Sequence, residues 1–412
     1  MRLTRSKVAA CLFTGALVVA GCGSSDDDTA TTTGESTGGT GASPGTGAAS
    51  GDCTLDEPLK IGFMMDTGLG AIGDVPANAG AEFKVKQIND AGGVGGKPIE
   101  YESKQVADDD PAAGQRATAE LIEGGADVIL GPPFATMGLP MLEETKGEVP
   151  VIFVTSTEVA LTDSANGSFL ASFNDKVQAS AAAELAKKQG ATNAVTISSN
   201  DIPYLNVTTK AFTEVFEAQG GTVQTDLSYS LGATDFSAQV NQIKGLSPVP
   251  DVIYSAFFLP EAGVFLEQLR AAGIDSTVIG ADGFDASEVW SIGDAAEGVY
   301  YTAHTFPAEG NGVQAFLDAY NADGGKDIPT PSFGSLGAEA VETAVAATEA
   351  ACTTDGKALI EAISTIKDLE TTTGTVTYDG TTGTPKRDVV LMTVTDGEPT
   401  LADQFFPTQV AK

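Results

Sequence analysis

The chain has 412 residues, of which 42% are hydrophobic and 19% are charged, and 22 Lys and Arg against 56 Asp and Glu give a formal net charge of −34. This acidic excess argues against binding nucleic acid or anionic lipid through a basic face, because neutralised phosphates supply most of that affinity. The single histidine, His304, leaves no histidine cluster for zinc and few options for Ser-His or Cys-His chemistry.

The first 21 residues have the pattern of an export signal. Arg2, Arg5 and Lys7 precede an apolar stretch at 8–20 that is too short to span a bilayer. The run at 19–22, Val-Ala-Gly-Cys, resembles a bacterial lipobox, which implies cleavage before Cys22 and attachment of diacylglycerol to its thiol. An ordinary signal peptide with a chance cysteine is the alternative. The prediction is a protein anchored by lipid at the outer face of the cytoplasmic membrane.

Residues 22–52 are predicted to form a flexible tether. From Gly23 to Gly51 no apolar side chain is larger than alanine, so the segment cannot form a core, and its r.m.s. reach is about 30 Å. The acidic triplet at 26–28 could be taken for a metal site, but a solvated flexible tail explains it more simply.

Two cysteines remain for the body of the chain. Cys11 leaves with the signal and Cys22 is taken by lipid, so Cys53 and Cys352 are left, and outside the cytoplasm such a pair favours a disulfide. The predicted bridge closes a loop of about 300 residues and requires the two regions to be neighbours.

The body, residues 52–412, is longer than one core usually serves, which predicts two domains. Apolar residues at Ala81, Val85 and Ile88 predict a helix between the first two strands. Asp110 before Pro111 predicts a capped helix start, which explains the acidic run at 108–110 better than a metal site does. The predicted strands of this half are 59–64, 98–105, 127–130 and 149–154.

The same alternation restarts after about residue 173. Predicted helices span 176–189, 204–219 and 260–273, and predicted strands span 194–198, 252–255 and 277–281. Alternating strands and helices predict an α/β protein with two similar, doubly wound, mostly parallel sheets. Ligands then belong at the carboxyl ends of the strands, near helix N-termini.

Two glycine-rich segments invite a nucleotide-binding interpretation. The segment at 68–73 matches G-x-G-x-x-G directly after the first strand. However, Asp74, Val75 and Pro76 follow it instead of a helix already under way, and no acidic residue ends a second strand about 20 residues later. The segment at 92–97 fails the phosphate-loop pattern because Pro98 follows the lysine. We therefore interpret the first segment as a small-residue turn over a ligand cleft. An NAD-type oxidoreductase built on it is the distant alternative.

Several segments together resemble one family. They are PLKIG at 58–62, QINDAGGVGGKPIE at 87–100, DDP at 109–111, VILGP at 128–132 and GDAAEGV at 293–299. They are similar to the type I substrate-binding proteins of ABC transporters, and most similar to the leucine/isoleucine/valine-binding branch. The likeness covers nearly all of residues 58–400, and the helix and turn at 89–98 are its most specific element.

The resemblance implies two lobes joined by three crossing segments, with a ligand held between them. Here the crossings would lie near 169–173, 299–305 and 376–388. Lobe 1 would then comprise residues 55–170 and 306–375, and lobe 2 residues 171–305 and 376–410. This agrees with the predicted disulfide, because both of its cysteines would belong to lobe 1.

The resemblance also implies where an amino acid would bind. Its carboxylate would meet hydroxyls and backbone N–H groups at Phe134, Ala135 and Thr136 and at Thr155, Ser156 and Thr157. The family typically has serine where this chain has Ala135, so a free ligand carboxylate is an open question.

A carboxylate that ends a strand of lobe 2 holds the ligand's ammonium in the family, and Asp282 occupies that place, although a turn aspartate is the alternative. Tyr204, Phe257 and Phe258 would line the side of the ligand's side chain. His304 lies at a crossing, where a structural role is the simpler interpretation.

The sequence therefore predicts a monomeric, lipid-anchored binding protein that delivers a small solute, such as a branched-chain amino acid, to an ABC permease. No enzyme activity, cofactor, metal or nucleic-acid partner is expected. The alternatives are a solute other than an amino acid, such as an amide, urea or an aromatic acid, and a sensor subunit with the same fold.

Overall fold

The computed structural model describes residues 53–107, 110–325, 328 and 330–412. The predicted export signal, Cys22 and the tether lie outside these residues, as do Asp108 and Asp109. None of the helices in the described part of the chain has the length and apolar composition that crossing a membrane requires.

The first sheet has five parallel strands in the order β2-β1-β3-β4-β5. Its strands are β1 (Lys60–Asp66), β2 (Glu100–Val106), β3 (Val128–Gly131), β4 (Val151–Phe153) and β5 (Ser168–Leu170). The central strands are buried along nearly their whole length, as a parallel sheet covered on both faces requires. The register pairs Ile61 with both Tyr101 and Val128.

Helices cover both faces of this sheet. They are α1 (Ala71–Asp90), α2 (Pro111–Glu123) and α3 (Ala135–Thr145) and, from later in the chain, α9 (Gly312–Ala322), α10 (Pro331–Ala351) and α11 (Gly356–Ser364). As predicted, Asp110 caps α2: its carboxylate accepts a hydrogen bond from the backbone N–H of Ala112 at 3.0 Å. We refer to these elements and the first sheet as lobe 1.

The second sheet has seven strands in the order β14-β13-β10-β9-β8-β6-β7, in which β13 is antiparallel to both β10 and β14 and all other neighbours are parallel. Its strands are β6 (Asn193–Ser198), β7 (Thr222–Ser228), β8 (Val252–Ser255), β9 (Thr277–Gly280), β10 (Tyr300–Ala303), β13 (Val389–Thr395) and β14 (Glu398–Phe405). Its helices are α4 (Asp175–Lys188), α5 (Pro203–Ala218), α6 (Ser237–Gly245), α7 (Glu261–Ala271) and α8 (Ser287–Trp290). We refer to these elements as lobe 2.

The packing of α1 on α10 is unusually close. A Cβ on Gly80 would lie 1.8 Å from the carbonyl oxygen of Gly334, and one on Gly337 would lie 1.9 Å from that of Ala77. Because only glycine lets two backbones approach this closely, both positions exclude any side chain. The same region is tied by Cys53 and Cys352, whose Cα atoms are 5.4 Å apart and whose sulfurs are bonded, as the sequence predicts.

The chain passes between the lobes three times, after β5, after β10 and between Val376 and β13. The strands β11 (Leu369–Thr371) and β12 (Gly374–Val376) form a separate two-stranded ribbon. Arg387, in the third crossing, donates to the carbonyls of Ala171 (3.1 Å) and His304 (3.3 Å) in the first and second crossings. It also forms a buried ion pair with Glu339 of α10 at 3.0 Å. One guanidinium therefore joins all three crossings to lobe 1.

Candidate functional site

A cavity lies where the carboxyl ends of the strands of both lobes meet. Its volume is about 50 Å³, which suits a small molecule. Lobe 1 lines it with Leu69, Gly70, Ile72, Gly73, Pro133, Phe134, Thr155, Thr157, Glu158 and Phe333, and lobe 2 with Tyr204, Phe258, Asp282, Gly283 and Asp285. The lobes touch here, since the rings of Phe134 and Phe258 meet edge to face with centroids 5.8 Å apart.

Asp282 follows β9 and is 5% exposed. Its carboxylate accepts hydrogen bonds from the Tyr204 hydroxyl at 2.7 Å and from Nε2 of His304 at 3.1 Å. Burial alone raises the pKa of Asp282, but the hydrogen bond and charge of His304, together with Tyr204, outweigh burial and hold that pKa below its ordinary value. Asp282 is thus a fixed negative charge at the wall of the cavity.

His304 has a supporting position. It is 1% exposed, its ring stacks on Phe173 with centroids 4.6 Å apart, and its Nδ1 lies 2.5 Å from Oγ of Ser172. It is not among the residues that line the cavity. His304 therefore acts on the site through Asp282, whose carboxylate it orients.

Tyr204, at the start of α5, forms the aromatic wall of the cavity. Its hydroxyl oxygen also accepts a hydrogen bond from the backbone N–H of Gly283 at 3.2 Å, so both hydrogen-bonding directions of the hydroxyl are used. Its ring stacks on that of Phe258 with centroids 5.0 Å apart. The stacking holds the rings of Tyr204 and Phe258 side by side.

Two further carboxylates line the cavity, and the sequence did not single out either. Glu158 directly follows the polar run after β4, and its Oε1 accepts a hydrogen bond from the backbone N–H of Ala135 at 3.3 Å. Asp285 follows the turn that begins at Asp282. Burial raises the pKa of Glu158 and that of Asp285 to about 7, because neither carboxylate has a positive partner that would offset desolvation.

The expected binding residues divide into two groups. Phe134, Thr155, Thr157, Tyr204, Phe258 and Asp282 line the cavity. Ala135, Thr136, Ser156 and Phe257 do not. The Thr136 side chain is exposed to solvent, so it does not replace the missing serine, and Phe257 is fully buried in the core of lobe 2 against Phe236 and Phe265.

At the glycine segment 68–73 the expected absence of a helix at Gly73 is wrong. Helix α1 begins at Ala71 and includes Pro76, so a helix is already under way at Gly73. However, the backbone N–H groups of Gly68 and Gly70 donate to the carboxylate of Asp66 at 2.7 and 2.8 Å. In a dinucleotide fold a pyrophosphate would meet this turn, whereas here a protein carboxylate does.

No group of three or more potential metal ligands occurs within the described residues. The cavity wall instead carries three carboxyl groups, those of Glu158, Asp282 and Asp285, beside the rings of Tyr204 and Phe258. The fold and the site together define a two-lobed solute-binding protein.

Comparison with known proteins places the chain in a family. The model of the periplasmic binding protein family matches residues 58–399. Leu/Ile/Val-binding protein BraC3 of Rhizobium johnstonii is 32% identical over 320 residues, which are 76% of this chain and 84% of that protein. Leu/Ile/Val-binding protein homolog 3 of Brucella melitensis is 30% identical over 322 residues, again 76% and 84% of the two chains.

A solved structure agrees with these relatives. The branched-chain amino acid transporter substrate binding protein LivJ from Streptococcus pneumoniae, in complex with isoleucine, superposes with a TM-score of 0.75 and 25% identity, covering 86% of this chain and 99% of that one. The chain belongs to the periplasmic binding protein family, in its Leu/Ile/Val-binding branch. This is a family of extracytoplasmic solute-binding proteins and not of enzymes.

Proposed function

We propose that this chain is the lipid-anchored solute-binding component of an ABC importer. It captures a small solute with a protonated amino group between its lobes and delivers it to a permease in the membrane. The names of the relatives make a branched-chain or related amino acid the first candidate. In this proposal Cys22 carries the lipid, the monomer is the working unit and no cofactor takes part.

The observation that carries the proposal is the shared cavity. Asp282 of lobe 2 and Thr157 of lobe 1 line the same small space, so one guest contacts both lobes at once. A ligand that contacts both lobes binds the closed form more tightly than the open form, and this difference in affinity shifts the population towards closure. The permease then reads the closed shape, and no chemistry on the ligand is needed.

The role of Asp282 follows from its surroundings. Tyr204 and His304 hold its carboxylate ionised and oriented inside the protein, where a charged hydrogen bond is strong. A ligand ammonium that meets this carboxylate gains about 1.5–3 kcal/mol from such a hydrogen bond.

A panel of solutes in thermal melts tests the proposal. Amino acids, amines, amides, urea and aromatic acids are each added to the purified protein, and at least one amine-bearing compound is expected to raise the melting temperature. Asp282→Asn is expected to remove the shift. The matched control is Asp396→Asn, in the exposed turn after β13, at the opposite edge of the sheet from the cavity, where it should leave the shift intact.

The outcomes separate the possibilities. A shift from amides, urea or aromatic acids alone would move the ligand to another class of solute while keeping the binding function. A panel in which nothing shifts the melting temperature would contradict the proposal. The anchor has its own test: Cys22→Ser should release the protein from the membrane fraction, and retention there would contradict lipid attachment.

A further inference from the structure

Two helix N-termini beside the cavity have backbone N–H groups that carboxylates of the protein already occupy. Helices α1 and α3 both begin at the cavity, and helix N-termini are the usual anion sites of such a cleft. The N–H of Ala135 donates to Glu158, and the N–H groups of Gly68 and Gly70 donate to Asp66. At each of these N-termini a protein carboxylate accepts a backbone N–H that could otherwise meet an anionic ligand.

The hydroxyls on the same wall are committed as well. Oγ1 of Thr155 donates to Asp74 at 2.6 Å, and Oγ1 of Thr157 donates to Asp175 at 2.5 Å. Each hydroxyl has a single proton to give, and in this arrangement a buried carboxyl group of the protein accepts it. A carboxylate entering the cavity would therefore compete with protein carboxyl groups for these hydroxyls.

Apart from the Tyr204 hydroxyl, the ionisable groups that line the cavity are all carboxyl groups. Glu158, Asp282 and Asp285 line it, and within the described residues no Lys, Arg or His does. Asp285 is 8% exposed, the Ser332 hydroxyl lies beside its carboxyl group, and its Oδ2 makes no hydrogen bond of normal geometry in the described structure. A buried carboxylate oxygen without a donor is costly, so its presence at a cavity points to a donor supplied by a ligand.

The aromatic side chains favour the same kind of guest. The rings of Tyr204 and Phe258 stack side by side at the cavity wall, and aromatic faces attract cations. Carboxylates and aromatic faces together form the surroundings that proteins offer to ammonium and guanidinium groups.

We infer that the ligand is an organic cation that lacks a free carboxylate. An ammonium or guanidinium group on a small apolar body is held by Glu158, Asp282 and Asp285 and packs against Tyr204 and Phe258. The inference rests on the proposed function, since it specifies the solute of the same cleft, and it departs from the amino acid that the relatives suggest.

The experiment compares compounds that share a body and differ only in charge. One set is leucine, 3-methylbutylamine, which is leucine without its carboxylate, and 4-methylpentanoate, which is leucine without its amino group. Matching sets are built on phenylalanine, with 2-phenylethylamine and 3-phenylpropanoate, and on arginine, with agmatine and 5-guanidinopentanoate. Binding of each compound to the purified full-length protein is measured by isothermal titration calorimetry.

In at least one set the amine is expected to bind, at least about tenfold more tightly than the amino acid. The inference is overturned if every amine fails to bind, or if an amino acid or an acid binds as tightly as its amine. Tight binding of an amino acid would contradict the inference but leave the proposed function standing. If none of these compounds and no solute of the panel binds, both the inference and the proposed function are contradicted.

Two variants test the residues themselves against the best amine of the sets. Asp285→Asn and Glu158→Gln are each expected to weaken its binding about tenfold or more. Neither should lower the melting temperature of the ligand-free protein, because each removes a buried carboxylate without a positive partner, so lost binding can be told apart from misfolding. Asp396→Asn should bind the amine like the wild type. Unchanged affinity in both cavity variants would overturn the assignment.

Discussion

Replacing Arg387 with methionine tests whether one buried guanidinium holds the crossings together. The substitution keeps most of the apolar stem and removes every hydrogen bond of the guanidinium. These bonds reach the carbonyls of Ala171 and His304, the hydroxyl of Thr373 at 2.9 Å and the carboxylate of Glu339 at 3.0 Å. Glu339 is fully buried, so the variant leaves its carboxylate without a counter-charge.

The expected loss of unfolding free energy is about 3–5 kcal/mol at pH 8, the range for breaking a buried ion pair from one side. It should be smaller at pH 5. Burial raises the pKa of Glu339 to about 7 even though Arg387 lowers it, and without Arg387 the pKa rises further. At pH 5 Glu339 is therefore protonated in both folded proteins, so the charge contributes to the difference only as pH rises through about 7.

Urea denaturation at both pH values measures the effect. The double variant Arg387→Met with Glu339→Leu should recover a large part of the loss, because no uncompensated charge stays buried. Lys357→Met is the matched control, since it breaks an exposed ion pair with Glu148 and should barely move the unfolding midpoint. A loss below about 1 kcal/mol for Arg387→Met, or a double variant as unstable as the sum of the single ones, would refute the reasoning.

Three further predictions concern stability. Cys53→Ser should cost about 2–5 kcal/mol of unfolding free energy, and adding Cys352→Ser should cost little more, as thermal melts without reductant would show. Burial raises the pKa of Glu158 to about 7, so stability associated with its protonated form is complete below about pH 4.5 and is lost as pH rises through about 7. The unfolding free energy of Glu158→Gln should therefore rise relative to that of the wild type by up to roughly 3 kcal/mol between pH 5 and 8. If urea denaturation gives the same difference between variant and wild type at both pH values, the raised pKa of Glu158 is contradicted. Gly337→Ala should cost about 1–3 kcal/mol or more, because its Cβ would lie 1.9 Å from a carbonyl of the opposite helix, whereas Gly263→Ala, with nothing nearer than 3.8 Å, should leave the melting temperature equal or higher.

The repeating pattern of the sequence predicts most of the fold. Strand β8 spans the predicted residues, Val252–Ser255, and helix α5 (Pro203–Ala218) differs from its prediction by one residue at each end. The expectation that no helix is under way at Gly73 was wrong, because Pro76 and the glycines before it suggest a turn. Local propensity favours that turn, but the backbone packing of α1 on α10 outweighs it.

Residues of the candidate site were predictable only where their position at the end of a strand brings them to the cavity. Asp282, Thr155 and Thr157 follow strands whose carboxyl ends meet at one edge, so topology brings them to the cavity. Phe257 and Phe258 are adjacent after β8, yet only the second faces the cavity, because consecutive side chains of an extended backbone point in opposite directions. Which of the two faces outwards depends on the core of lobe 2.

The charge preference of the cleft depends on which donors the protein has already used, and the order of residues along the chain does not determine that. The run Thr155-Ser156-Thr157 looks like a set of free donors in the sequence. In the fold, Asp74 lies 81 positions before Thr155 and accepts the proton of its hydroxyl, and Glu158 reaches the helix that starts 23 positions before it. A site rich in hydroxyls and helix N-termini is thereby converted from one that suits an anion into one that suits a cation. Ligand charge in this fold therefore follows from the partners of the polar groups and not from their residue types alone.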